Sequence, residues 1–434
     1  MIREYVVSSI SILSIYLLFL FCGRKYRLFL PSTIHTLTWL VTSVFMFLEL
    51  NGLMGNYILD DDYDKVAIYI NYMMIASIVG FSFARLIATF ITTSNQQRKL
   101  IPLEVVDAIL SKFKWLLYVC LFVGILQVVF LFSIGGWATF EDYRLIAVSA
   151  QRTGYGAIAQ RLSGHLAILG VFYLSFLGYK HARTGINFKQ LIFCIFSVGS
   201  LNMSIAGRGW IIQTSLPYVI AYFFGIYKYR KNLIRLPNYK RDLRKICVLG
   251  IFLISIFSIT GLMRNTETAE GEDKVKVFFN KFLYYTDGPK MANMVLSQYP
   301  TGSFPLEYGT AEFLGSWKSS PMTRKFATSI EHDRALSVTV KSAIPSLYYD
   351  WGYDGGVIAW GVYAFVLELI CILLLNGSSI FALLLFVQLT KLLFESPIGT
   401  IFAYAVPVFE WLLILYLFRR YIFKHIPNIK QFIE

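Results

Sequence analysis

Apolar runs of about 20 residues recur along almost the whole chain, joined by short polar loops. A helix of that length crosses the ~30 Å hydrocarbon core of a bilayer. Only 15% of the 434 residues are charged and 56% are hydrophobic, too little charge to cover a soluble protein of this size. The chain therefore reads as an all-α polytopic membrane protein, and a soluble helical protein with an oversized core fits poorly.

About eleven spans are expected. They run over 5–22, 29–50, 66–91, 115–134, 162–179, 191–206, 211–227, 247–263, 357–375, 379–394 and 398–418. The run 191–206 is short and turns polar at Asn202 and Ser204, so it reads as tilted or broken at Gly207 and Gly209. The N-terminal run follows a weak basic start and leads to Arg24, Lys25 and Arg27 with no small-residue cleavage site. It is expected to be a permanent first span rather than a signal peptide.

Lys and Arg bias sets orientation. Alternate loops are basic: Arg24 to Arg27; Arg98, Lys99, Lys112 and Lys114; Lys180, Arg183 and Lys189; the stretch Lys228 to Lys245; and Arg419, Arg420 and Lys424 in the tail. The other loops hold Asp60, Asp61, Asp62 and Asp64, the stretch 135–161, the turn at Arg208, the segment 264–345, and Glu395. The N-terminus is expected outside and the C-terminus in the cytoplasm. The net charge of +14 then belongs to topology and to anionic lipid heads. No nucleic-acid motif accompanies it. The five cysteines lie in or beside apolar runs and read as small buried hydrophobes, without a disulfide framework or metal site.

Three regions result: an N-terminal bundle of about eight helices over 1–263, a large outer loop over 264–345, and C-terminal helices with a basic tail over 346–434. No internal repeat is visible, which lowers the case for a transporter built from two related halves. Within the loop, Val275, Phe278, Phe279, Phe282 and Leu283 share one helical face. That face suits either the outer headgroup layer or packing within the loop.

Arginines gather near the expected outer face. Arg144, Arg152 and Arg161 lie in 135–161, Arg208 sits between Gly207 and Gly209, and Arg264 follows a span. A guanidinium binds phosphate oxygens bidentately, so several together would suit a pyrophosphate. Each could instead snorkel or pair with a carboxylate. Arg208 favours function, because an arginine in so short a turn is costly unless it faces a polar cavity. Acidic and polar groups stand at the same level: His165, Asp287, Glu307, Glu312, Glu331, His332 and Asp333, with Asp350 and Asp354 flanking Trp351-Gly352-Tyr353. A carboxylate or imidazole there could act as general base to a sugar hydroxyl. Trp317, Tyr348, Tyr349, Trp351 and Tyr353 could stack on sugars. His332 could equally be a solvated loop histidine, and Asp350 a helix cap.

Charges within spans need partners. Arg85 can snorkel towards the cytoplasm, and Lys391 and Glu395 can pair at i, i+4. Glu368 and Glu410 must face protein or water; hydrogen bonds to Tyr or Ser explain them better than an ion pathway. No Walker loop, HExxH, GxSxG or DxD motif is present, so nothing calls for a soluble nucleotide donor, a metal or a cofactor.

The layout and four short motifs resemble the Wzy-type O-antigen polymerases, the oligosaccharide repeat-unit polymerases. The motifs are the turn Gly207-Arg208-Gly209, the aromatic run Phe282-Leu283-Tyr284-Tyr285-Thr286-Asp287, the segment Phe304-Pro305-Leu306-Glu307-Tyr308-Gly309, and Ser346-Leu347-Tyr348-Tyr349-Asp350-Trp351-Gly352-Tyr353-Asp354-Gly355-Gly356. The last is similar to the family's Y-x-D-x-G-x-x-G pattern before a span.

The resemblance implies a C-type glycosyltransferase-like fold in the bacterial inner membrane, active at the periplasmic face. It implies a growing glycan on undecaprenyl pyrophosphate, transferred to a lipid-linked repeat unit, with a chain-length regulator as a partner. Arg208 and Arg264 lead the pyrophosphate candidates, supported by Arg144, Arg152 and Arg161. Asp287, His332 and Asp350 are the catalytic candidates, and Glu307, Tyr348, Tyr349 and Trp351 the sugar contacts. A lipid-linked oligosaccharide flippase and an O-antigen ligase remain the alternatives.

Overall fold

The structure, a computed structural model, describes residues 2–23, 30–52, 63–91, 100–135, 154–203, 209–231, 239–263, 343–377, 379–394 and 412–420. Eleven bounded helices occur among them: α1 (Ile2–Gly23), α2 (Pro31–Leu50), α3 (Tyr63–Ile91), α4 (Leu103–Lys112), α5 (Lys114–Gly135), α6 (Gly154–Thr184), α7 (Phe188–Met203), α8 (Gly209–Lys231), α9 (Tyr239–Met263), α10 (Ala343–Asn376) and α11 (Ile380–Phe394). Residues 412–420 are also helical. Six helices among the described residues are long and apolar enough to cross a membrane. The chain is a multi-pass helical membrane protein.

Ten of these helices coincide with expected spans, and the last expected span is represented by 412–420. The addition is α4, in a stretch assigned above to a basic loop. It buries Val106, Ile109 and Leu110, which lie three and four apart on one face. Its apolar stripe is too short to register as a span. Helix α6 begins at Gly154, so Arg161 stands in a helix rather than in an outer loop. Lys228 is likewise inside α8, and Lys240 to Lys245 form the start of α9. The expected basic loop therefore shrinks to the residues between these helices.

The chain divides by contact into two units that alternate along the sequence. The first takes Met1–Asn95, Ala269–Leu373 and Leu389–Glu410; the second takes Gln96–Thr268, Leu374–Gln388 and Trp411–Glu434. In the first, α1, α2, α3 and most of α10 share a core containing Leu13, Trp39, Met46, Tyr69, Met73 and Trp360. Helices α3 and α10 meet backbone to backbone. A methyl group on Gly80 would collide with the carbonyl oxygen of Gly361, and one on Gly361 would come within 3.2 Å of the Ala76 carbonyl oxygen. Lipid offers no hydrophobic drive for helix association, so small residues that allow such contact supply it.

In the second unit, α6 against α8 is the most extensive helix pair. It too closes on small residues, with Gly178 facing Tyr218 and Ala221, and Gly225 facing Ala182. The buried Nδ1 of His181 lies 2.9 Å from the Tyr218 hydroxyl. Lys228, buried at the end of α8, donates to the Gly377 carbonyl oxygen. Cys120, Cys194 and Cys371 are buried as expected, whereas Cys22 and Cys247 are exposed.

Candidate functional site

The motif Ser346 to Gly356 lies inside α10, which begins at Ala343 rather than near 357. The helix breaks at Gly352, whose φ of 71° and ψ of −172° lie in a region that essentially only glycine occupies. In an unbroken helix Tyr348 and Tyr353, five residues apart, would point about 140° away from each other. The break brings both onto one ring of α3. Tyr69 meets Tyr348 edge-on at 5.6 Å and Tyr353 at 5.0 Å, and Tyr72 meets Tyr353 at 6.4 Å. These separations are those of favourable aromatic pairs.

Tyr69 and Tyr348 are buried and Tyr353 is half-buried, whereas Trp351 is 42% exposed and Asp354 is exposed. The Tyr69 hydroxyl has no hydrogen-bond partner among the described residues. It lies against Gly356, where a methyl group would strike it. The same end of the unit is fastened by Arg3, which donates to the Leu50 carbonyl oxygen at 3.2 Å, and by Asn71, which donates to the Ser9 hydroxyl at 3.2 Å. The exposed Trp351 indole, the half-buried Tyr353 ring and the exposed Asp354 carboxylate can stack on the apolar faces of a sugar and bond its hydroxyls, while the buried Tyr69 and Tyr348 rings hold Tyr353 from the core side.

Of the expected site residues, Tyr348 belongs to this cluster, buried in it rather than open to a sugar, and Trp351 is exposed one turn further along α10. Tyr349 and Asp350 lie in the helical turns before Gly352, with side chains outside the described set. Asp350 therefore sits seven residues into α10, directly before the candidate span Trp351–Asn376 and two residues before the break at Gly352. Arg161 has a described backbone, in α6, and no described side chain. Arg144, Arg152, Arg208, Arg264, Asp287, Glu307 and His332 lie outside the described residues, as do the amphipathic stretch 275–286 and Glu410. His165 is exposed on α6, eleven residues beyond its first turn's start at Gly154.

A second polar site, at the opposite end of the first unit, was only half legible. Glu368 is fully buried, and its Oε1 accepts from Arg85 Nε at 2.8 Å. The same oxygen accepts from the Ser32 hydroxyl at 2.8 Å, while Oε2 accepts from the Ser32 backbone N–H at 3.0 Å. Arg85 Nη2 also reaches the Ser32 hydroxyl oxygen at 2.5 Å. Glu368 thus bonds a serine, as its depth suggested. Arg85 turns inward to the carboxylate instead of snorkelling. Both charges stand on the same side of the Gly80–Gly361 crossing, about 8 and 11 Å along their helices.

One turn along α2 from Ser32, the buried His35 ring is enclosed by Trp39, Phe81 and Trp360 at 6.2, 5.2 and 5.5 Å. Neither of its nitrogens has a hydrogen-bond partner among the described residues. Among those residues, no three His, Cys, Asp or Glu side chains gather as metal ligands would.

No family model matches the chain, and neither a curated protein nor a solved structure matches it.

Proposed function

We propose that this chain is a polymerase of a bacterial surface polysaccharide, of the C-type glycosyltransferase-like kind. It acts at the outer face of the inner membrane on substrates carried by undecaprenyl pyrophosphate. The observation that carries the proposal is the half-buried Tyr353 ring, held by the buried Tyr69 and Tyr348, with Trp351 exposed before it on the same helix. It occupies the stretch of α10 where the resemblance to repeat-unit polymerases has its longest motif. By the charge bias of the loops, this end of α10 faces outward.

In the proposed reaction, a hydroxyl of the acceptor repeat unit attacks the anomeric carbon of the growing chain. A new C–O bond forms as the C–O bond to the diphosphate breaks, and the electron pair leaves on undecaprenyl pyrophosphate. Asp287, His332 or Asp350 takes the hydroxyl proton. Arg208 and Arg264, with Arg144, Arg152 and Arg161 in support, hold the diphosphate and stabilise the charge that develops on it. Trp351, Tyr353, Tyr349 and Glu307 position the sugars. No metal or nucleotide enters the scheme, and a chain-length regulator would act on it from outside.

Deleting the gene tests this against its neighbours. A lost polymerase leaves single repeat units on the cell surface. A lost ligase leaves long chains on the carrier and none attached, and a lost flippase leaves repeat units trapped inside. Mass spectrometry of the lipid carrier together with a glycan gel separates the three.

A further inference from the structure

We infer that the first turns of α9 form a binding surface for an anionic phospholipid headgroup of the surrounding bilayer. The argument starts from which way the helix faces. At about 100° per residue, Lys240, Arg241, Arg244, Val248 and Ile251 fall within a sector of roughly 100°. All five are exposed, Val248 at 58% and Ile251 at 67%. Asp242, Leu249 and Leu253 lie on the opposite side and are buried.

Two polar contacts within the second unit fix this rotation. The Asp242 carboxylate accepts from the Ile186 backbone N–H at 3.2 Å, and Lys245 donates to the Ile186 carbonyl oxygen at 2.5 Å. Asp242 is the one carboxylate between Tyr239 and Met263, and it is turned inward. The three outward cations therefore have no acid within α9 to neutralise them.

The surface also has a definite depth. An exposed apolar stripe of Val248, Ile251 and Phe252 begins one turn after Arg244 and continues the same face along the run 247–263 that the sequence marks as a span. Side chains exposed on an apolar helix face meet acyl chains, so cations one and two turns before them stand at headgroup level. Each Lys or Arg near an anionic membrane surface contributes about 1 kcal/mol. The complementary partner is a lipid with a net negative headgroup, approaching from the side along the α9 face. A soluble anion would gain nothing from the apolar stripe below. This inference does not depend on the polymerase reading.

Cys247 is exposed on the same face and offers a local reporter. The full-length protein carrying Cys22→Ser is labelled at Cys247 with an environment-sensitive fluorophore. It is reconstituted in phosphatidylcholine vesicles containing 20% of either brominated phosphatidylglycerol or brominated phosphatidylcholine. Quenching by the brominated anionic lipid is expected to be at least about twofold stronger, a modest share of the attraction of three cations. Lys240→Gln with Arg241→Gln and Arg244→Gln should abolish that preference, and Arg183→Gln, an exposed cation on α6, should keep it. Equal quenching by the two lipids in the protein with its cations intact overturns the inference without need of any variant. So does a preference that survives the triple replacement.

Discussion

The Glu368 carboxylate caps the first turn of α2 by accepting both the backbone N–H and the hydroxyl of Ser32, residues 336 positions apart in sequence. Helix α2 starts with Pro31, and Leu30 before it offers no capping side chain. The N–H groups of a first turn lack partners inside their own helix, and an anion beside them is favoured by the helix dipole. Glu368 fills that role from α10, and Arg85 of α3 balances its charge. One carboxylate thus ties three helices.

Glu368→Ala should destabilise the protein by about 3 kcal/mol, because it leaves the Arg85 charge and the Ser32 donors without their acceptor. Arg85→Met should cost a similar amount. The double variant should lose clearly less than the sum, since neither charge is then stranded. Thermal unfolding in detergent reads this, and strictly additive losses would contradict the pairing.

Glycine replacements should separate by position. Gly250 has open space around its Cβ position, so Gly250→Ala should be neutral or stabilise by up to about 1 kcal/mol. Gly80→Ala must push against the Gly361 carbonyl and should cost roughly 1–3 kcal/mol. The same unfolding assay compares them.

Gly352→Ala places a side chain on a backbone with φ 71° and should cost about 1–3 kcal/mol. If the helix straightens instead, Tyr353 rotates away from Tyr69. Either way chain-length products should fall, while Gly355→Ala, with only the Trp351 Cβ at 3.2 Å nearby, should have the milder effect. A glycan gel of complemented deletion strains checks the order.

Tyr353→Ala removes ring contacts worth about 0.5–1.5 kcal/mol each and should shorten the polysaccharide. Tyr353→Phe should preserve its length, because the proposed role belongs to the ring. Equal loss in both variants would assign the role to the hydroxyl.

Sequence reading reached the fold through residues whose signal is local. Apolar length marks α1 to α3 and α10 directly, because each must satisfy the hydrocarbon core by itself. It missed α4, whose Val106, Ile109 and Leu110 make a stripe without making a span. Depth alone implied that Glu368 had a buried partner. The choice of Arg85 rests on a helix crossing at Gly80 and Gly361, and those glycines announce nothing about which partner they meet. Tyr348 and Tyr353 were legible from their motif, whereas Tyr69 and Tyr72 join them only through packing. The bend at Gly352 was hidden because a lone glycine beside a span has many roles.

The most direct measurement uses purified protein in proteoliposomes supplied with repeat units on undecaprenyl pyrophosphate. The account predicts a ladder of longer lipid-linked glycans, with one undecaprenyl pyrophosphate released per new linkage, and no ladder from Arg208→Ala that inserts normally. Repeat units that stay monomeric with the unaltered protein, or a full ladder from Arg208→Ala, would contradict it.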